Sequence, residues 1–179
     1  MKKLFPLFVL ALISLYSCNN KAKEKEADVI KTTLTKVGQQ VPEFSFVTLN
    51  NDTLSINDLK GKVVFMNFFA TWCPICIKEL PFIKSDIWEK YKDNKNFELL
   101  VFGREHSAEE IISFKQKKGY LLNFVPDPER KIYSLFAERY IPRNVVLNRE
   151  GKIIYQSTGF DDKEFTKLKE TIESELNKQ

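Results

Sequence analysis

Residues 62–70 read KVVFMNFFA, and within three residues the chain continues as Trp72-Cys73-Pro74-Ile75-Cys76. An apolar run without polar alternation fits a central strand covered on both faces, the kind found in α/β sheets. The next stretch, Pro74 to Tyr91, is predicted to be a helix with Ile75, Leu80, Ile83, Ile87 and Tyr91 as its apolar stripe. Pro74 sits in the first turn, where a missing N–H costs nothing, whereas Pro81 is predicted to kink the helix. Two of the three cysteines in the chain therefore stand where a buried strand gives way to a helix.

The remaining elements follow from local signals. Phe44, Phe46 and Leu49 alternate with polar residues and turn through Asn50-Asn51-Asp52 into Thr53-Leu54-Ser55, a hairpin pattern. Phe97–Gly103 is a second buried strand, and Ser107-Ala108-Glu109-Glu110 is a capping box for a helix stopped by Gly119. A short strand is expected over Leu122–Val125 and a helix over Arg130–Arg139. Asn144–Asn148 and Lys152–Ser157 form a second hairpin, and Asp161 caps a last helix with Phe165, Leu168, Ile172 and Leu176 at helical spacing. This order predicts an α/β fold: a mixed central sheet flanked by helices, preceded by an N-terminal β-hairpin.

Four chemistries compete for Cys73 and Cys76. A structural zinc site needs four ligands, and beyond this pair and Cys18 the chain offers only His106, so no metal is expected unless two chains share ligands. A peroxide-reactive thiol in the pattern Pro-x-x-x-Thr-x-x-Cys would need Pro and Thr where the chain has Met66 and Ala70. A purely structural disulfide closing so small a loop restricts the unfolded chain less than the roughly 3 kcal/mol of a 15-residue loop. A redox couple has a mechanism behind it. Cys73 precedes the first helical turn, where free amides and the helix dipole favour a thiolate. Cys76 lies one turn on, deeper, and placed to resolve a mixed disulfide on Cys73.

The N-terminus, MKKLFPLFVLALISLYSC, carries Lys2 and Lys3 before an apolar run. That run is roughly 13 residues, short of the about 20 that span a bilayer but suited to a signal-peptide core. Leu15-Tyr16-Ser17-Cys18 is similar to a bacterial lipobox, apart from Tyr16 where a small or β-branched residue is commoner. The similarity implies a signal peptide over 1–17 and a mature chain lipidated at Cys18, which accounts for the odd cysteine and places the protein outside the cytoplasm, anchored to a bilayer. Residues 18–37, mostly charged and polar, are expected to be a flexible tether reaching about 25 Å, with a frayed, charged helix as the alternative for its first part. The folded domain is then 38–179. A net charge of +4 without a basic, aromatic-interleaved stripe excludes nucleic acid as a partner.

Residues 61–81, GKVVFMNFFATWCPICIKELP, resemble the TlpA/ResA-like thiol-disulfide oxidoreductases of the thioredoxin superfamily. The resemblance extends through VGQQVPEFSF, DLKGKVV and IPRNVVLNREGKII, in family order. It implies a membrane-tethered disulfide exchanger without a prosthetic group, running in the reductase direction. Its electrons would come from a membrane protein of the DsbD/CcdA type, and one target would be the haem-attachment site of an apocytochrome c. It implies that Cys73, Cys76 and Glu79 are catalytic, with Glu79 a burial-raised carboxyl that moves a proton for the inner thiol. It also implies that Ile141-Pro142 is a cis-proline loop which, with Trp72, Pro74, Ile75 and Arg143, meets the substrate. Arg143 departs from the small residue usual after this proline, and its charge is expected to favour the Cys73 thiolate. His106 is expected to be a solvated loop residue. A disulfide-donating oxidase and a non-catalytic, partner-binding lipoprotein remain as alternatives.

Overall fold

The computed structural model describes residues 23–178. The expected signal peptide, Cys18 and the start of the tether lie outside the described residues. A two-stranded antiparallel sheet joins β1 (Ser45–Val47) to β2 (Thr53–Ser55). The main sheet comprises β3 (Val63–Phe69), β4 (Phe97–Arg104), β5 (Phe124–Asp127), β6 (Arg143–Leu147) and β7 (Ile153–Thr158) in the order β5-β4-β3-β6-β7. β3, β4 and β5 run parallel, while β6 and β7 are antiparallel to their neighbours, so the sheet is mixed as the element order predicts. β3 is central and every one of its seven residues is buried.

The alternation of β3 sorts the core into two halves. Val63, Phe65 and Phe69 face one cluster, built with residues of the helices that begin at Pro74, Ala108 and Asp162. Val64, Met66 and Phe68 face the other, with Phe46 of the hairpin, Ile56 and Leu59 of a 3-10 turn, and Ile132, Tyr133 and Phe136. Phe68 stacks on Phe102 with ring centroids 5.1 Å apart.

Helix α1 occupies described residues 23–31. Helix α2 spans Pro74–Phe82 and continues through a π-helical stretch, Ile83–Trp88, into Glu89–Tyr91. Pro81 thus does not end the helix; the irregularity follows it as a widened turn. Ile75, expected in the apolar stripe, is 46% exposed. Helix α3 (Ala108–Lys118) has both halves of the Ser107/Glu110 capping box and ends on Gly119 at φ 66°, in the left-handed region. Helix α4 (Asp162–Leu176) is capped by the Asp161 carboxylate, which accepts from the amides of Lys163 and Glu164.

Two expectations are corrected. The helix over Arg130–Arg139 is reduced to a 3-10 turn at Tyr133–Leu135. The Asp127 carboxylate takes the amides of Ile132 and Tyr133, and Arg130 and Tyr140 adopt positive φ, which a helix does not accommodate. The tether, from residue 23 onward, is folded onto the domain. Thr33 pairs antiparallel with Ala137, Leu34 donates its amide to Phe136, and the Thr35 hydroxyl donates to Gln156 Oε1 at 2.9 Å. Composition marked this segment as polar, but its threonines are strand-compatible: the Thr32 and Thr33 hydroxyls cap carbonyls of α1, and that of Thr35 finds Gln156 on the sheet edge.

Gly103 closes β4 against α3: a Cβ built there would stand 2.2 Å from Ile111 Cδ1, 3.2 Å from Ile111 Cγ1 and 3.3 Å from His106 Cβ. Ile111 is fully buried and has little room to turn away. Gly103→Ala is therefore expected to cost about 1–3 kcal/mol of stability, measurable as a lower urea midpoint with an unchanged slope.

Candidate active site

Cys73 is the N-cap of α2, extended in backbone, with Pro74 in the first turn. Its Sγ is joined to that of Cys76 in a disulfide and accepts the Cys76 amide at 3.2 Å. That amide is one of the donors a helix start leaves without an intrahelical partner. Cys73 is 6% exposed and Cys76 is fully buried, so only the first sulfur can meet a partner. The Ile141-Pro142 bond is cis, and the Ile141 carbonyl oxygen lies 3.9 Å from Cys73 Sγ. Pro142 is buried, Pro74 exposed, and Trp72 and Ile75 beside the two cysteines are exposed apolar side chains. The Arg104 guanidinium lies 5.7 Å from the Trp72 ring centroid, a cation–π distance.

Beneath the disulfide lies a closed polar cluster. Glu79, one helical turn after Cys76, is 1% exposed. Its Oε2 accepts from Asn67 Nδ2 at 3.0 Å and its Oε1 from Asn144 Nδ2 at 2.7 Å. Asn67 Nδ2 also donates to Asn144 Oδ1 at 2.7 Å. Asn67 and Asn144 are register partners on β3 and β6, so the sheet presents both amides to the helix. Burial pushes the Glu79 carboxyl up to about 7, and the bonds from Asn144 and Asn67 pull only partly against it.

Arg143 does not reach the disulfide. It pairs with Phe68 on β3, and cross-strand partners share a face, so its side chain lies with the Phe68 cluster while Asn144 lies on the side of Glu79. Its Nη1 donates to Thr33 Oγ1 at 3.1 Å and its Nη2 to the Arg139 carbonyl at 3.4 Å. The expectation that its charge favours the Cys73 thiolate is therefore corrected.

His106 is likewise not solvated. It is 4% exposed, and its Nε2 accepts the Thr71 amide at 2.9 Å, tying the end of β4 to the loop that carries Trp72 and Cys73. Asn67, Asn144 and His106 were not recognisable as site residues from spacing. The one available signal was Asn67, the single polar residue in a seven-residue buried strand. Among the described residues no three His, Cys, Asp or Glu side chains converge as a metal site.

A mixed sheet, a disulfide at a helix start and a cis-proline loop against its outer sulfur define a thioredoxin-like thiol-disulfide oxidoreductase. Residues 36–172 match the Redoxin family, and the chain belongs to it. A curated relative, the thiol-disulfide oxidoreductase ResA of Bacillus anthracis, is 29% identical over 129 residues, covering 72% of this chain and 73% of that protein. A solution structure from Bacteroides thetaiotaomicron, of a proposed protein disulfide isomerase, superposes with TM-score 0.78 at 33% identity over 82% of this chain and 94% of the other. A proposed thiol:disulfide interchange protein DsbE from Chlorobium tepidum shares the fold at TM-score 0.71 and 22% identity, over 79% and 99% of the two chains.

Proposed function

We propose that this oxidoreductase is a lipid-anchored, extracytoplasmic reductase of disulfides in exported proteins, with Cys73 as the attacking sulfur and Cys76 as the resolving one. The observation that carries the chemistry is Glu79, a buried carboxyl one turn from the buried Cys76 and held between two amides. In the reduced enzyme the Cys73 thiolate attacks one sulfur of a substrate disulfide. A bond forms from Cys73 to that sulfur, and the substrate's other sulfur leaves as a thiolate. The Cys76 thiol then gives its proton to Glu79 and attacks Cys73 Sγ. The Cys73–Cys76 bond forms, the mixed disulfide breaks, and the second substrate thiolate leaves. The two electrons that reduce the substrate are those of the enzyme dithiol, and solvent and Glu79 supply the protons.

Trp72 and Ile75 give a substrate chain an apolar landing beside Cys73, and the Ile141 carbonyl is an acceptor for its backbone. Electrons return from a membrane thiol donor of the DsbD/CcdA type, and the paired cysteines of an apocytochrome c fit as a client. The Cys18 lipobox supports the anchor. The deciding experiment is the reduction potential of the Cys73–Cys76 pair, equilibrated against glutathione and dithiothreitol buffers. A value of about −270 mV is expected of a reductase, whereas one of about −120 mV replaces this reading with a disulfide donor.

A further inference from the structure

Arg143 is 2% exposed and forms no ion pair with a carboxylate among the described residues. Its two bonds use uncharged acceptors, and its Nε–H has no partner. A buried cation without a counter-charge is strongly destabilising in general, and such groups are found paired. Arg143 also lines a cavity of about 660 Å³ between α1 and the edge strand β7, within the size range of small-molecule sites.

The rest of the lining says what would fit. Lys25 and Lys36 add two positive charges against one from Glu26, while Val29 and Ile30 supply an apolar wall. At and beyond the cavity rim the same N-terminal segment exposes Ile30 (69%), Leu34 (50%) and Val37 (59%) beside Lys31 and Lys36. An apolar strip flanked by lysines is the pattern of a segment lying on an anionic membrane surface.

We propose that this groove is a binding site for an anionic phospholipid, its phosphate held by Arg143 with Lys25 and Lys36, and one acyl chain laid along Val29 and Ile30. Arginine's planar donors suit a phosphate oxyanion, and the head group supplies the charge the buried guanidinium lacks. The site lies on the sheet face opposite Glu79, so it orients the domain at the bilayer without occupying the disulfide. It rests on the membrane-tethered reading, since a chain held at a bilayer meets such lipids continuously.

The test uses the full chain in dodecyl maltoside, mixed with phosphatidylglycerol or phosphatidylcholine and examined by native mass spectrometry and thermal unfolding. One phosphatidylglycerol per chain and a raised Tm are expected, with no retained phosphatidylcholine. Arg143→Gln is expected to weaken binding at least about tenfold. Should that variant unfold, the Lys25→Ala/Lys36→Ala pair, exposed and outside the core, is expected to weaken it in the same direction. Equal retention of both lipids, or unchanged binding by whichever variants fold, overturns the site. Inorganic phosphate is the third probe: if it alone raises Tm as far as the lipid does, the acyl chain has no role and the lipid assignment falls to a free oxyanion. Mass analysis of the mature N-terminus reports separately on Cys18 lipidation, so failure of either idea is visible without the other.

Discussion

Replacing Cys76 with serine is expected to stop turnover while leaving the first chemical step intact. Cys73 Sγ keeps its place at the start of α2, with the amide of residue 76 aimed at it and the Ile141 carbonyl beside it. It therefore still attacks a substrate disulfide. The serine hydroxyl cannot displace the mixed disulfide, so the enzyme accumulates with substrate covalently attached through Cys73. Multiple-turnover insulin reduction is expected to fall by at least about 10³-fold, as for loss of a reacting nucleophile. Intact-mass analysis after one cycle should show the adduct, released by dithiothreitol. Full turnover by Cys76→Ser would remove Cys76 from the mechanism. Cys73→Ser should form no adduct, because the remaining sulfur is fully buried.

The second large effect concerns Glu79 and carries a definite sign. Its carboxyl is pushed by burial from 4.5 to about 7 in the folded chain. Between those values the folded protein holds a proton that the unfolded chain has lost, so this group's contribution to stability is fully present below pH 4.5 and is lost as pH rises through about 7. For the oxidised protein the expected loss across that window is about 3 kcal/mol from this group. Urea unfolding at a series of pH values measures it. Glu79→Gln removes the ionisation and is expected to flatten the curve and leave the variant more stable than the parent at pH 8. The same substitution removes the proton acceptor for Cys76 and is expected to lengthen the life of the mixed disulfide by about 10²-fold, a typical general-base contribution. A merely structural Glu79 would flatten the stability curve and leave that lifetime unchanged.

Much of the site was legible because its logic is local. A cysteine before a first-turn proline and a second cysteine one turn on lie along the same stretch of helix whatever the helix packs against, while the role expected of Glu79 came from the family resemblance and not from its position. The capping residues Ser107 and Asp161 and the stop at Gly119 were legible for the same reason, since each acts on amides or carbonyls within a few residues. Where a distant residue intervened, local reading failed. Asp127 captured two amides of the segment expected to be helical over 130–139, and Ala137, Phe136 and Gln156 drew Thr33, Leu34 and Thr35 of the expected tether into the fold.

The apolar run at 62–70, the paired cysteines and the order of turns determined a mixed α/β sheet with a redox site at a helix start, because periodicity and end effects are properties of neighbouring residues. Tertiary structure alone decided what surrounds that site. Strand register put Asn67 beside Asn144 and both against Glu79, turning a polar residue on a helix into a carboxyl that titrates near neutrality. The two-residue period of β6 sent Arg143 to the face of Phe68, opposite Asn144 and Glu79. The packing of α3 on β4 buried the single histidine against the active-site loop. Each outcome depends on pairing between segments tens of residues apart, and a shift of one residue in that pairing would reverse every face.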